Sequence, residues 1–571
     1  MDLDVKPHKL TSQRRMQSVM KLKRLSAALV AAGFATQGHA QQGQNLSVDI
    51  RSLALGNAVT ADPPGVSSIH FNPAGLTQIQ GLQTDVIGIA ALFNVEREFS
   101  APPGFNVFGY SDDPIVCNDL PDDGNNLCSD FKGKVTDKAD GAGLFIPGFD
   151  SFLKFPEGAP ITAATGGIAY RPPGSKAVYG TAVYAPLIAG FYETDSSDPS
   201  SFLGEKTAIE RITYLSPTIS YDVTDTLSLG VSGGLSYTAF NLDTQLRFPN
   251  DLIGVLRLID EEVCAPFRES QNIITDILLL GVCRAEESVG PFKKFGSLSL
   301  QLEQSASPSY NLGLLWEPSD SFSFGMVYQS AGALDLKGKF EVENGRGVQE
   351  IIRGLNSSVT GQIVLALLNF PSNIPDKESG LVALELDYPS HFQAGIKVKP
   401  TPDLQINFDV GCTDYDTWKN FNFEFDRPIS ALQIAKLISP DVTNQSLDLP
   451  LGFQSSCSYG VGLEQRVSDR LVLRLGYEPR NSSIPEDKRN TLIPINNAQL
   501  FGTGIGYQFD PDTTIDLTAA YLRSRDDIPA NTSSLANNTG VNNLIINPYA
   551  GLDIKTKTDI FFLGMAYRTR W

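Results

Sequence analysis

The sequence predicts an all-β protein, an antiparallel transmembrane β-barrel of about fourteen strands. Three observations predict it. From Leu82 onward, short segments alternate large apolar residues with small or polar ones at period two. Very short connections alternate with long ones along most of the chain. The basic N-terminus carries an export leader, yet no later stretch offers the roughly 18 apolar residues that a membrane-spanning helix needs.

The leader comes first. Lys21, Lys23 and Arg24 precede an apolar run from Leu25 to Ala35, and Gly38-His39-Ala40 supplies a small-residue cleavage site. Residues 1–40 are therefore expected to be a signal peptide. The residues before Met16 or Met20 read as an over-long gene start. The net charge of −19 argues against nucleic acid, which calls for clustered Lys and Arg. Four His leave no basis for a His-built metal site, and no cofactor is expected. A mean hydropathy near zero (−0.09) fits a barrel, whose lipid-facing and lumen-facing residues average out.

The strands are expected to begin near Leu82, Ala164, Ala177, Ile209, Leu227, Leu298, Phe322, Leu381, Leu404, Ser455, Leu471, Ala498, Thr513 and Lys555. Leu471, Leu473, Leu475 and Tyr477 alternate with Val472, Arg474 and Gly476; Phe501, Thr503, Ile505 and Tyr507 alternate with Gly502, Gly504 and Gly506. In a soluble sandwich the large face would be the core; in a barrel it meets lipid and the small face lines a lumen. Connection lengths decide between them. Pro172–Ser175, Asp222–Asp225, Glu317–Asp320, Lys399–Pro402, Val467–Asp469 and Asp510–Asp512 are short turns. Connections near residues 101–162, 249–294, 343–380, 427–454 and 526–554 are long, as outer loops are. The chain ends on Phe561, Leu563, Met565, Tyr567, Thr569 and Trp571, one apolar face closed by an aromatic residue. That ending is similar to the signal by which outer-membrane proteins are recognised by the barrel assembly machinery.

The segment Gly56-Asn57-Ala58-Val59-Thr60-Ala61-Asp62, then Ser67-Ser68, then Phe71-Asn72-Pro73-Ala74-Gly75-Leu76, resembles the N-terminal hatch of the FadL/TodX family of outer-membrane transporters. Leu215–Tyr221 with Leu227–Gly230, Tyr328-Gln329-Ser330 with Lys337-Gly338, Asp414–Phe421, and Ser483-Ile484-Pro485 with Arg489 and Ile493-Pro494 are similar to later parts of that family, in the same order. The resemblance covers nearly all of residues 51–571. It implies a barrel (82–571) plugged by a hatch (41–81), monomeric, with outer-membrane lipid around it. It also implies uptake of long-chain fatty acids or similar hydrophobic molecules by loop capture, hatch movement and sideways exit through the wall. Aromatic hydrocarbons or alkanes are the alternative cargo. The extra length of this chain lies in the outer loops.

Candidate sites follow. Asn72, Pro73, Ala74 and Gly75 form a tight bend that folds the hatch. Pro186 on the third strand and Pro217 on the fourth are expected to face each other across a weak seam, with Gly190 beside it, because proline donates no ladder hydrogen bond. Leu252, Leu256, Ile259, Ile277 and Leu278 in one loop, with Ile352 and Leu367 in another, recur at helical spacing and suggest an acyl-chain groove, where each buried CH₂ contributes about 0.8 kcal/mol. By parity Lys337 and Arg474 point into the lumen, and with Arg51 of the hatch they are candidates for an acid head group. Cys117 with Cys128, Cys264 with Cys283, and Cys412 with Cys457 are natural pairs in an exported protein, their connectivity open. An outer-membrane enzyme such as a phospholipase is the competing class. It would need a His beside a nucleophile, and after the leader only His70 and His391 remain, neither in such a constellation.

Overall fold

The computed structural model describes residues 44–100, 102–103, 134–139, 141–145, 152–154, 161–192, 206–246, 296–357, 359–367, 371–433, 443–491, 493, 495–538 and 551–571. Fourteen antiparallel strands close into a barrel. They are β1 (Leu82–Ser100), β2 (Ile161–Tyr170), β3 (Ala177–Tyr192), β4 (Lys206–Leu215 and Thr218–Asp222), β5 (Leu227–Leu246), β6 (Gly296–Ser319) and β7 (Phe322–Gln329 and Gly332–Asn344). Then come β8 (Lys377–Tyr388 and His391–Thr401), β9 (Leu404–Thr413 and Phe421–Phe425), β10 (Ser446–Leu449 and Ser456–Ser468), β11 (Leu471–Arg480), β12 (Ala498–Gln508), β13 (Thr513–Ile528) and β14 (Asp553–Arg570). β1 pairs with β14 from Gln83↔Arg570 to Ser100↔Asp553, so the sheet has no free edge there.

The period-two pattern sorts into a wall. Tyr477, Phe501, Tyr521 and Phe561 point outward at one level, in direct cross-strand register. Tyr507 and Tyr567 mark a second exposed aromatic level nearer the short turns. These two levels bound the apolar band expected of a barrel in a membrane. Inward stand the small residues. A Cβ on Gly476 would lie 2.1 Å from the Gly56 amide nitrogen, on Gly502 2.2 Å from the Leu53 carbonyl, and on Gly325 2.1 Å from the Thr60 carbonyl. Glycine is thus required at these wall positions because the N-terminal backbone runs directly against the strands.

Beyond the upper aromatic level the pattern inverts. Leu298, Leu300 and Leu302 of β6, Leu334, Leu336 and Phe340 of β7 and Leu384 of β8 turn inward and pack with Phe421 and Phe423 of β9. A wall surrounded by water rather than lipid buries its large face inside, and this part of the barrel has that pattern. The inversion corrects the reading of Lys337. Phe322, Phe324, Met326 and Tyr328 face outward, and unbroken alternation would then put Lys337 inside. The break between Gln329 and Gly332 shifts the parity by one residue, and Lys337 points out, paired with Asp335 at 2.6 Å.

Between β7 and β8 lie helices α3 (Arg346–Asn356) and α4 (Val359–Leu367), counted after the two short N-terminal helices α1 (Ile50–Ala54) and α2 (Ser68–Phe71). Cys412 and Cys457 sit directly opposite each other on β9 and β10 and form a disulfide. Cys117, Cys128, Cys264 and Cys283 lie outside the described residues, as do the leader and Leu252, Leu256, Ile259, Ile277 and Leu278.

Candidate functional site

Residues 44–81 fill the lumen, and nearly all of them from Gln44 to Thr77 are buried. Asp49 caps α1, accepting from the amides of Arg51 and Ser52. Its other carboxylate oxygen meets Arg568 of β14 at 2.6 Å. From there a chain of ion pairs crosses the lumen. Arg568 reaches Asp516 (2.7 Å), which holds Arg474 (2.5 Å); Arg474 holds Glu464 (2.7 Å), and Glu464 holds Arg51 (3.2 Å). Arg51 pairs with Asp62, which also binds Lys397 at 3.0 Å. Arg51 and Arg474 therefore lie where their sequence positions suggested, but carboxylates of this chain already occupy both.

The bend at Asn72 is a capped 3₁₀ turn, Pro73–Gln78. The Asn72 side-chain oxygen accepts from the Ala74 amide at 3.2 Å, and its nitrogen donates to the Thr60 carbonyl at 2.8 Å and to the Leu314 carbonyl of β6 at 2.9 Å. The Gly75 amide donates to the Asn72 carbonyl at 2.9 Å. One side chain thus ties the bend to itself, to an earlier turn and to the wall. Sequence showed the bend; the wall contact needed the fold.

The weak place in the wall is not where the sequence put it. Pro217 lies across from Thr181, and Pro186 lies across from Ile212, so the two prolines do not face each other. Near Pro217 the β3–β4 edge is repaired by hydroxyls. Ser216 Oγ accepts from the Ala182 amide at 2.9 Å and donates to its carbonyl at 2.8 Å. Gly190 is paired with Ala208. The interruption is on the other side of β3. Its pairing with β2 stops at Gly166↔Val183, and a neighbour reappears only with the separate short strand Gly141–Phe145, at Ala142↔Phe191. In a strand the N–H and C=O of one residue point the same way, so the donor that Pro186 lacks would have faced this gap.

The N-terminal residues lie across the gap. The Asn45 amide donates to the Pro186 carbonyl at 2.9 Å, Ser47 Oγ donates to the Ala185 carbonyl at 2.7 Å, and Thr165 Oγ1 of β2 donates to the Val48 carbonyl at 3.1 Å. Asn45 takes a positive φ of 63° to do so. Its side-chain oxygen is 2.7 Å from Nε2 of His70, whose pKa burial pushes down to about 3, with His391 nearby adding to the shift.

Sequence reasoning missed Arg211. It points inward from β4 and is 2% exposed. Nη1 donates to Thr238 Oγ1 (3.3 Å) and Ser307 Oγ (3.4 Å), and the guanidinium lies 4.4 Å over the Tyr388 ring. Nη2 is buried and has no hydrogen-bond partner, and no carboxylate pairs with Arg211 among the described residues. Tyr388 packs on the apolar cluster of the upper lumen. The only sequence signal was parity, since Ile209, Arg211 and Thr213 share a face. Of the loop positions, Ile352 is buried on α3, whereas Leu367 is 79% exposed on α4 together with Val359 and Ile363. The two therefore do not form one packed groove, and the second helix leaves an open apolar stripe instead.

The family model described as outer membrane protein transport protein (OMPP1/FadL/TodX) matches residues 28–571. A curated relative, the long-chain fatty acid transport protein of Escherichia coli O6:H1 (strain CFT073), is 21% identical over 218 residues, 38% of this chain; the match spans 42% of the relative's length. Among solved structures, a Pseudomonas aeruginosa FadL homologue superposes with a TM-score of 0.60 at 15% identity, covering 93% of this chain and 99% of that one. The Pseudomonas putida toluene transporter TodX gives 0.55 at 14% identity, with the same coverage. At these identities the structural likeness establishes the barrel fold.

Proposed function

Because the chain belongs to the OMPP1/FadL/TodX family of outer-membrane transporters of hydrophobic compounds, we propose that this barrel takes up long-chain fatty acids and releases them sideways through the gap between β2 and β3. One observation carries the choice of cargo: a buried guanidinium with an unpaired nitrogen stands beside a lumen wall of Leu and Phe. An unpaired buried cation is costly, and a carboxylate relieves that cost where a hydrocarbon brings nothing. The alkyl chain of the acid lies along the apolar cluster, and its head group sits at Arg211. The exposed stripe of Val359, Ile363 and Leu367 is the first contact outside. Residues 44–81 act as the hatch, and the stretch across Pro186 is its movable end. The solute leaves through the freed gap into the bilayer without crossing the aqueous periplasm.

The structural neighbours that carry toluene support the alternative, an aromatic hydrocarbon as cargo. Replacing Arg211 separates the two. Binding of oleate and of oleyl alcohol or toluene to the purified barrel is measured for wild type and Arg211→Met. Loss of a hydrogen bond to a charged group costs about 1.5–3 kcal/mol, so oleate affinity is expected to fall by at least tenfold while the neutral ligands are unaffected. Equal oleate binding by both proteins would refute the acid reading; toluene binding without oleate binding would establish the alternative.

A further inference from the structure

The wall has a second interruption, and Arg211 stands behind it. β6 and β7 are paired from Gly296↔Asn344 to Glu303↔Lys337, and again from Asn311↔Gln329 toward the short turn. Between these stretches the regular pairing lapses on both strands, from Gln304 to Tyr310 and from Ser330 to Leu336. Side chains take over there. Ser307 Oγ donates to the Ala333 carbonyl at 3.0 Å, Gln304 Oε1 accepts from the Asp335 amide at 3.1 Å, and Ser330 Oγ accepts from the Tyr310 amide at 2.9 Å. The Ser330 amide donates back to the Tyr310 carbonyl at 2.8 Å, so both polar groups of Tyr310 face β7. Two residues along the strand, Pro308 faces β7 as well and brings no donor.

The seam is thin from outside. Ser305, Ala306, Pro308, Ala331 and Ala333 are exposed there, and none of them carries a large side chain. Just below, the rings of Tyr310 and Tyr328 point outward, 6.2 Å apart. Tyr328 comes six residues after the start of its strand segment at Phe322, as Tyr477 does after Leu471, which sets the seam at the upper aromatic level. Lipid head groups lie at that height. On the inner side, a Cβ on Gly332 would stand 3.3 Å from Nη2 of Arg211 and 3.2 Å from the Pro308 carbonyl oxygen. The unpaired nitrogen of the guanidinium therefore lies directly behind backbone that carries no side chain. Nη1 donates at 3.4 Å to Ser307 Oγ, the same hydroxyl that closes the seam. A change of surroundings from lipid to water accounts for the shift of parity at this height. It does not account for a proline at the seam, or for small side chains outside a buried cation.

We propose that the β6–β7 seam is a lateral entrance for single-chain carboxylic acids dissolved in the outer leaflet, besides the route over the loops. The proposal rests on the assignment of the cargo carboxylate to Arg211. An acid lying in a bilayer keeps its charged carboxylate at head-group height and its tail among the lipid chains. That carboxylate meets the seam at the level of Nη2. When Ser307 and Ala333 part, it passes the Gly332 backbone to the guanidinium, and the alkyl chain follows between small residues. A cation at the inner mouth draws an acid in and holds it, so this seam serves entry, while release stays with the gap between β2 and β3.

The test delivers one acid to the full-length barrel by two routes. In nanodiscs, a fluorescent long-chain acid is released within the bilayer by photolysis of its caged ester. In amphipol, which offers no bilayer, the same acid is added from water. Ala306→Trp with Ala333→Trp fills the outer surface of the seam, and Pro308→Thr supplies the missing donor. Both are expected to slow capture from the bilayer by about tenfold, within the span over which association rates vary among variants of one site. Capture from water and equilibrium affinity are expected to stay as in wild type. Heat-modifiable migration on gels verifies folding, and Pro308→Thr carries the test if the double variant does not fold. Bilayer capture as fast as wild type in the folded variants would overturn the entrance. So would equal slowing by both routes, which would place the effect at Arg211 itself. Arg211→Met is read by equilibrium affinity alone, so failure of the head-group assignment is seen there and failure of the entrance is seen in the rates.

Discussion

The Asn45 amide donates to the Pro186 carbonyl at 2.9 Å, and this bond joins the N-terminal segment in the lumen to a stretch of β3 that β2 does not pair. Proline leaves its own position without a donor toward the gap, so a backbone from elsewhere has to meet the carbonyl. The N-terminal residues do so without belonging to any barrel strand, so removing them costs the barrel no strand. The bond is therefore both a seal and a place where the seal can be undone.

Deleting residues 44–48 should leave the barrel assembled and the gap open. Oleate uptake should then lose its dependence on movement of this segment, and a bulky replacement, Ser47→Trp, should slow uptake. Labelled oleate entry into cells, normalised to barrel abundance, is the readout. The opposite change, Pro186→Val, restores a donor toward the gap; the added hydrogen bond contributes about 1 kcal/mol net and should also slow uptake.

The lumen-facing glycines should be intolerant of side chains for a reason separate from folding. Gly476→Val places atoms where the Gly56 amide now lies. The strand itself accepts valine readily, so the barrel should form while residues 53–58 are displaced. Planar-bilayer conductance should rise above that of wild type; unchanged conductance with an intact barrel would mean that the segment does not block ions.

The ion-pair chain should behave as a unit. Arg568→Met leaves Asp49 and Asp516 buried without one of their cations. Removing one partner of a buried pair typically costs about 3–5 kcal/mol. The gel-shift melting temperature should fall, and protease sensitivity near residue 50 should rise. The double variant Arg568→Met with Asp49→Asn should recover part of the loss, because one uncompensated charge goes with it.

The disulfide between β9 and β10 closes a sequence separation of 45 residues. On the chain-entropy account such a crosslink contributes about 4 kcal/mol. Cys412→Ser with Cys457→Ser should therefore unfold at lower temperature than wild type, and added reductant should lower wild type to the same value while leaving the variant unchanged.

His70 is buried and neutral, its pKa pushed from 6.5 down to about 3 by desolvation. The folded state thus takes up its proton later than the unfolded state does. The stability it allows is complete above pH 6.5 and declines as pH falls from 6.5 toward 3. Acidification should loosen the Asn45 contact in that window, seen as faster hydrogen exchange at residues 44–48. His70→Gln, which keeps a donor and does not titrate, should flatten that dependence.

How much was legible follows from the range of each signal. Period-two alternation is local, so strand existence and face could be read from neighbours alone, as in Phe501–Tyr507 and Ile515–Tyr521, whose large residues do face outward. Turn and loop lengths are also local, and they yielded fourteen strands. Parity fails wherever a strand breaks, and Lys337 was misplaced because the break after Gln329 shifts the count by one. Register between strands is not local at all. Pro186 and Pro217 look close to symmetric about their loop, yet the β3–β4 pairing, Leu187↔Arg211 on one side of the bulge and Gly180↔Thr218 on the other, is centred earlier in the chain than the midpoint of the two prolines and so sets them at different levels. The same limit hid Arg211. Nothing in its neighbours distinguishes it from Arg474; only the closed barrel decides that Asp516 and Glu464 neutralise the one and that no described carboxylate reaches the other. The sequence by itself determined the strands, their faces and the bend at Asn72. Only the tertiary structure decided where the wall is unpaired and which cation is left free, because both depend on residues hundreds of positions apart meeting across the lumen.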